Sequence, residues 1–149
     1  MRALGVAAVW TLDRLTKAWA VRWLMPRAFV SVLPFFRLTY VENTGAAFGI
    51  GFSRNRFFTF LSAGLLAGLY YLQRSWPRSN RWLQAGVVLV AGGALGNLYD
   101  RLAYGYVVDF LDFRVWPVFN VADSCVTVGA CCLAWGLRRE EKRAAERAD

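Results

Sequence analysis

The chain has 149 residues, of which 57% are hydrophobic and 19% charged, and its formal net charge is +8 with no histidine. This length predicts one domain, and the apolar fraction is typical of a membrane protein rather than of a soluble globular one. Without histidine, a Ser–His–Asp triad, a Cys–His pair and a His-ligated zinc are excluded. The basic residues lie between apolar runs, which favours membrane topology over nucleic-acid binding.

Four apolar segments follow one another along the chain, at residues 3–24, 57–72, 82–99 and 115–137. A membrane-spanning helix needs about 20 apolar residues. We therefore predict a mostly α-helical protein with four transmembrane helices, forming a single integral membrane domain over residues 1–149. The first segment carries charged residues in its middle, which does not fit a cleaved signal peptide.

The basic residues also predict the orientation of these helices. Nine Lys and Arg fall in residues 1–2, 73–81 and 138–149, whereas six fall in the longer pieces 25–56 and 100–114. Since short basic loops stay on the cytoplasmic side, we expect both termini to be cytoplasmic. Residues 138–149 are then a charged cytoplasmic tail.

The region 25–56 is expected on the outer side and differs in character from the helices. Its stretch "FVSVLPFFRLTYV" (29–41) mixes β-branched and aromatic residues, which predicts short strands on the membrane surface. The following "GAAFGIGF" (45–52) predicts a short interfacial helix or a loop. We expect a small extracytoplasmic β-sheet element here.

Ionisable residues inside apolar segments need an explanation, since each costs about 2.5–3.5 kcal/mol at a membrane centre on insertion scales. Asp13 and Lys17 are four residues apart, so they share one helix face and predict an intrahelical ion pair. Asn97, Asp100 and Arg101 close the third segment. They are either a polar helix end, with Arg101 reaching lipid headgroups, or part of a site.

Asp109 and Asp123 flank the start of the fourth segment. Pro117 suits a position near a helix start, and Asn120 with Asp123 three residues later resembles a capping box. A helix N-terminus also favours a carboxylate. Capping explains Asp123 but leaves Asp109 unexplained.

Carboxylates remain as the plausible acid–base groups. The cysteines at 125, 131 and 132 are odd in number and lie within one apolar segment, which argues against a disulfide framework, and no phosphate-binding glycine loop is present. Two carboxylates that meet in an apolar pocket can share one proton and activate water. A proton-coupled transporter or a noncatalytic membrane scaffold is the alternative at this point.

Four motifs add a family resemblance: "DRLTK" (13–17), "ENTGAAFGI" (42–50), "GGALGNLYDRLAYGYVVDF" (92–110) and "FNVADSCVTVG" (119–129). In this order and spacing, the sequence resembles lipoprotein signal peptidase (signal peptidase II), a family of bacterial membrane aspartic endopeptidases with four transmembrane helices. One departure is Arg14, where the family often carries Gln. The resemblance covers nearly the whole chain.

The resemblance implies roles for the matching positions. Asp109 and Asp123 match the catalytic pair of the family. Residues expected to bind substrate or support the site are Asn43, Gly45, Asn97, Arg101, Asn120, Asp13, Lys17 and Asp100. Asp112 has no counterpart in these motifs. The resemblance implies no metal and no organic cofactor.

The implied reaction is removal of the signal peptide from a diacylglyceryl-modified prolipoprotein, by cleavage just before the lipidated cysteine. The resemblance also implies that residues 42–52 close over the bound substrate as a lid. The implied location is the bacterial inner membrane, with the active site near the extracytoplasmic face. Membrane lipids and globomycin-like cyclic peptide inhibitors are the other expected partners. We expect a monomer that binds no nucleic acid.

Overall fold

The structure is a computed structural model that describes residues 2–45 and 53–148. In chain order its elements are α1 (Arg2–Trp23), β1 (Val30–Leu33), β2 (Phe36–Asn43), α2 (Ser53–Leu72), α3 (Arg81–Ala103), β3 (Val107–Asp112) and α4 (Val121–Ala148). The protein is thus mostly helical with a small antiparallel sheet, as predicted. Among the described residues, α3 and α4 are long and apolar enough to cross a membrane, and α1 and α2 fall short of that combination.

Helix α3 is the centre of the molecule, because α1, α2 and α4 all pack against it. Glycines on α3 make this close approach possible. A Cβ on Gly93 would lie 2.5 Å from the Ala122 carbonyl oxygen of α4, and one on Gly96 would lie 2.3 Å from Asp13 Oδ2 of α1. Small residues at helix crossings let backbones approach closely in this way.

The sheet has the order β1-β2-β3, with both pairs antiparallel. Val41 lies opposite Asp109, and Asn43 lies opposite Val107. The predicted strands in 29–41 are confirmed, whereas β3 was not expected. Residues Val107–Phe110 are buried without alternation, so this strand lacks the polar–apolar pattern by which a half-exposed strand is recognised.

Three helices begin or end at least four residues away from the predicted bounds. Helix α2 begins at Ser53 rather than residue 57, α3 continues to Ala103 rather than residue 99, and α4 begins at Val121 rather than residue 115. The residues before α4 are held by the sheet instead, since Leu111 and Phe119 exchange backbone hydrogen bonds of 2.8 and 3.1 Å. The predicted interfacial helix or lid falls mainly on residues 46–52, which lie outside the described residues.

Candidate active site

The polar residues singled out in the sequence meet where the end of α3, strand β3 and the start of α4 come together. The start of α4 is a capping box, as predicted: the Asn120 N–H donates to Asp123 Oδ2 at 3.1 Å, and the Asp123 N–H donates to Asn120 Oδ1 at 3.0 Å. Strand β3 brings Asp109 to the same place. Asn120 and Asp109 are buried, and Asp123 is half-buried.

One asparagine bridges the two candidate catalytic carboxylates. Asn120 Nδ2 donates to Asp109 Oδ1 at 2.6 Å, while the backbone N–H of Asn120 holds Asp123. Asn43 Nδ2 donates to Asp109 Oδ2 at 2.8 Å, and Asn97 Nδ2 donates to Asp123 Oδ1 at 2.8 Å. All four carboxylate oxygens therefore accept a hydrogen bond, which fixes the orientation of both acids.

The surroundings of Asp109 favour its protonated form. Burial is the main cause, followed by the negative charge of Asp123, and together they raise the pKa of Asp109 to about 7. Hydrogen bonds from Asn43 and Asn120 act in the opposite direction and are outweighed. The site can thus hold one proton on a carboxyl group beside a second, more exposed carboxyl group.

A second polar network lies directly behind this pair. The ammonium of Lys17 is fully buried and lies 2.9 Å from Asp13 Oδ2 and 2.9 Å from Asp100 Oδ2. The predicted ion pair within α1 is therefore confirmed, and it extends to α3. Lys17 also donates to Asn97 Oδ1 at 2.8 Å, which leaves the amide nitrogen of Asn97 directed at Asp123.

Two further contacts tie this network to the rest of the site. Asp13 Oδ1 accepts from the Ala122 N–H at the start of α4, at 3.2 Å. Arg14 forms an ion pair with Asp100, and its guanidinium lies 4.7 Å from the centre of the Tyr99 ring. This ion pair was not predicted. A basic residue in an apolar segment was the available signal, but nothing in the sequence identified Asp100 as its counterion.

Two predicted site residues lie at the edge of this arrangement. Arg101 is half-buried; it donates to Ser62 Oγ at 3.2 Å and interacts electrostatically with Asp109 and Asp123. Gly45 has a φ of 77°, a conformation that glycine adopts readily, and its N–H donates to Asn43 Oδ1 at 2.8 Å. This bond leaves the amide nitrogen of Asn43 free to hold Asp109.

Asp112 is not part of the candidate active site. Arg37 Nε lies 2.5 Å from Asp112 Oδ2, and this hydrogen bond is the main reason that the pKa of Asp112 is lowered. The pair links β2 to β3. Within residues 2–45 and 53–148, no cluster of His, Cys, Asp and Glu is placed to hold a metal ion. The expected absence of a metal stays a prediction.

Comparisons with known proteins decide the family. The family model described as signal peptidase (SPase) II matches residues 5–138, which include Asp109, Asp123 and the Lys17 network. The chain belongs to the signal peptidase II family. The protein is therefore a peptidase, as the motifs predicted.

The alignments with known relatives cover almost the whole chain. A lipoprotein signal peptidase from Pelotomaculum thermopropionicum is 45% identical over 148 residues, covering 95% of this chain and 94% of the relative. One from Desulfitobacterium hafniense is 42% identical over 142 residues, covering 94% of each. A solved bacterial membrane enzyme is similar with a TM-score of 0.80 and 31% identity, covering 95% of this chain and 90% of its own.

Proposed function

We propose that this protein is a membrane-embedded aspartic endopeptidase that removes signal peptides from diacylglyceryl-modified prolipoproteins, cleaving just before the lipidated cysteine. The names of its relatives support this substrate. The observation that carries the proposed mechanism is the pair of carboxylates, Asp109 and Asp123, both bonded to Asn120. Their unequal surroundings suit a dyad that shares one proton.

The unequal burial of the pair supports different roles for the two acids. Asp109, with its raised pKa, holds the shared proton, and Asp123 acts as the base that accepts a proton from the attacking water. As the water oxygen bonds to the peptide carbonyl carbon, Asp109 donates its proton to the carbonyl oxygen. As this intermediate collapses, the C–N bond breaks and the proton on Asp123 passes to the leaving amine. One hydroxyl proton of the intermediate returns to Asp109, which re-forms the carbonyl and restores the dyad.

The remaining site residues act around this pair. Asn43, Asn97 and Asn120 hold the carboxylates, and the Lys17 network supports them from behind. Arg101, whose charge interacts with both acids, contacts the substrate backbone. A globomycin-like cyclic peptide binds at the same site.

The proposed location follows from the substrate. All four helices span the bacterial inner membrane, both termini are cytoplasmic, and the dyad lies near the outer face. The diacylglyceryl chains can then stay in the bilayer while water reaches the scissile bond. The protein acts as a monomer within membrane lipid. Neither the transporter nor the scaffold alternative is favoured, because the family is a peptidase family.

The proposal is tested by incubating the purified protein with a lipidated prolipoprotein and identifying the released signal peptide by mass spectrometry. Asp109→Asn and Asp123→Asn keep side-chain size but remove an acid–base group. Each should lower the cleavage rate by about 10²–10⁴-fold, the usual contribution of a positioned acid or base. Asp112→Asn is the matched control, since it changes a carboxylate on the same strand that contacts Arg37 instead.

The expected result is cleavage by the parent and Asp112→Asn, and its near loss in both dyad variants. Cleavage at the parent rate by either dyad variant would contradict the mechanism. The proposed substrate would be wrong if the parent protein cleaved another membrane peptide but did not cleave a lipidated prolipoprotein.

A further inference from the structure

A basic hollow lies at the opposite end of α3 from the dyad, where the start of α3 meets the second half of α4. Its volume is about 670 Å³. It is lined by two tryptophans, four basic residues and one acid: Trp82, Trp135, Arg138, Arg139, Lys142, Arg143 and Glu146. Trp82 and Asn97 are fifteen residues apart on α3, or about 22 Å along the helix axis. The hollow is therefore separate from the active site.

The two helices that form this hollow are firmly joined. Asn80 caps α3 by accepting from the Trp82 N–H at 3.0 Å, and its own amide donates to the Gly136 carbonyl at 3.1 Å. The same amide donates to Glu140 Oε1 at 2.7 Å. Buried Gly136 lets α4 approach α3 closely. The walls of the hollow are consequently held in place without any ligand.

Positive charge in the hollow exceeds what the nearby acids neutralise. Lys142 is 3.8 Å from Glu146, and Arg143 is 3.4 Å from Glu140. Arg138 and Arg139 have no carboxylate within ion-pair distance in the described part of the chain. Positions 138, 139, 142 and 143 share one helix face, so the surplus is concentrated on one side of α4.

The aromatic part of the hollow suits a ligand with both polar and apolar groups. Trp135 is 52% exposed at the edge of the apolar half of α4. The Trp82 indole N–H is buried and has no hydrogen-bond partner among the described residues. Tryptophans with basic neighbours are typical of the membrane–water interface. An oxygen-rich anionic headgroup with an apolar tail would complement the basic side chains and the exposed Trp135 ring.

We propose that this hollow binds an anionic phospholipid of the cytoplasmic leaflet, with its phosphate near Arg138 and Arg139 and its acyl chains along α3 and α4. The proposal uses the proposed orientation, in which this end of the molecule faces the cytoplasm. Basic pockets between transmembrane helices on that side bind such headgroups. A nucleic acid would match the charge but not the apolar helix surfaces below it.

Retention of lipid by the purified full chain tests the proposal. The protein in detergent is given phosphatidylglycerol, phosphatidylcholine or inorganic phosphate, and bound molecules are counted by native mass spectrometry. We expect selective retention of phosphatidylglycerol. The double variant Arg138→Gln with Arg139→Gln should bind phosphatidylglycerol roughly thirtyfold more weakly, because each cation near a headgroup contributes about one kcal/mol. Arg74→Gln with Arg147→Gln is the control, because it removes two positive charges outside the hollow.

Equal retention of the two lipids would overturn the proposal, and so would equal weakening by the two double variants. Competition by inorganic phosphate at the lipid's own concentration, or retention of an oligonucleotide in its place, would also overturn it. Circular dichroism checks that both variants keep their helices. Asp109→Asn should bind phosphatidylglycerol as the parent does, so failure of the peptidase proposal and failure of this one are distinguishable.

Discussion

Asp109 is buried between two amide donors and faces a second carboxylate, so its charge is costly in the folded protein. Its pKa is raised from 3.8 to about 7. Above about pH 4 the unfolded chain releases this proton while the folded chain keeps it, so the free energy of unfolding decreases as the pH rises to about 7. Above about pH 7 both the folded and the unfolded chain have released this proton, so the free energy of unfolding decreases no further.

Asp109→Asn removes this pH-dependent loss, because asparagine does not ionise. We expect the variant to gain stability relative to the parent between pH 4 and pH 8, by at most about 4 kcal/mol. Thermal unfolding in detergent at the two pH values measures the difference. Asp112→Asn should follow the parent between these two pH values, because Arg37 lowers the pKa of Asp112 and that stabilisation is lost only below about pH 4. Parallel pH profiles for Asp109→Asn and the parent would contradict the assignment.

Lys17 is the other residue on which the site depends, because its ammonium contacts Asp13, Asp100 and Asn97 and is fully buried. Lys17→Met should lower the free energy of unfolding by about 3–5 kcal/mol, since removal of the shared cation breaks a buried ion network. Arg22→Met on the same helix changes an exposed residue and should stay within about 0.5 kcal/mol. Chemical denaturation in detergent checks both. Similar effects of the two substitutions would show that Lys17 is not the cation holding the network.

At the scale of elements, the crossing of α3 and α4 places Asn97 beside Asp123. The Gly93 position permits this crossing, since a Cβ there would lie 2.5 Å from the Ala122 backbone oxygen. A backbone atom cannot turn away as a flexible side chain can. The distance between the helices, and with it the hydrogen bond to Asp123, is therefore set by a glycine.

Gly93→Ala should force α3 and α4 apart and destabilise the protein by about 1–3 kcal/mol. It should also lower the cleavage rate, because Ala122 adjoins Asp123. Gly68→Ala on α2 is the matched control: no atom lies within 4 Å of its added Cβ, and alanine favours the helix more than glycine does. Melting temperature and prolipoprotein cleavage are measured together. A melting temperature for Gly93→Ala at or above that of Gly68→Ala would refute the close crossing.

Local features of the sequence predicted the elements more completely than they predicted the contacts between them. The Asn120–Asp123 cap and the Asp13–Lys17 pair depend on residues three and four apart, and both are confirmed. Strand β3 was missed because it is buried on both faces. Contacts such as Asn97 with Asp123 join distant segments, so sequence spacing alone does not reveal them.

For the whole molecule, contacts between distant segments also affect which helices are recognised as membrane-spanning. The sequence predicts four spanning helices, and the described helices α3 and α4 have the length and apolar character that this requires. Helix α1 carries buried Asp13 and Lys17, whose charges neutralise each other against α3 rather than facing lipid. Average hydropathy counts such paired charges as if they were exposed. Because these charges are paired and buried, the low mean hydropathy of α1 does not argue against the predicted membrane span.

The proposed topology makes opposite predictions for two exposed serines. Ser31 on β1 should be extracytoplasmic, and Ser79 between α2 and α3 should be cytoplasmic. In a chain whose three native cysteines are replaced by alanine, a membrane-impermeant maleimide should label Ser31→Cys in intact spheroplasts. Ser79→Cys should be labelled only after the membrane is permeabilised. The reverse labelling pattern would place the basic segments outside, against the positive-inside bias. It would also place the dyad at the cytoplasmic face, away from a substrate cysteine in the outer leaflet.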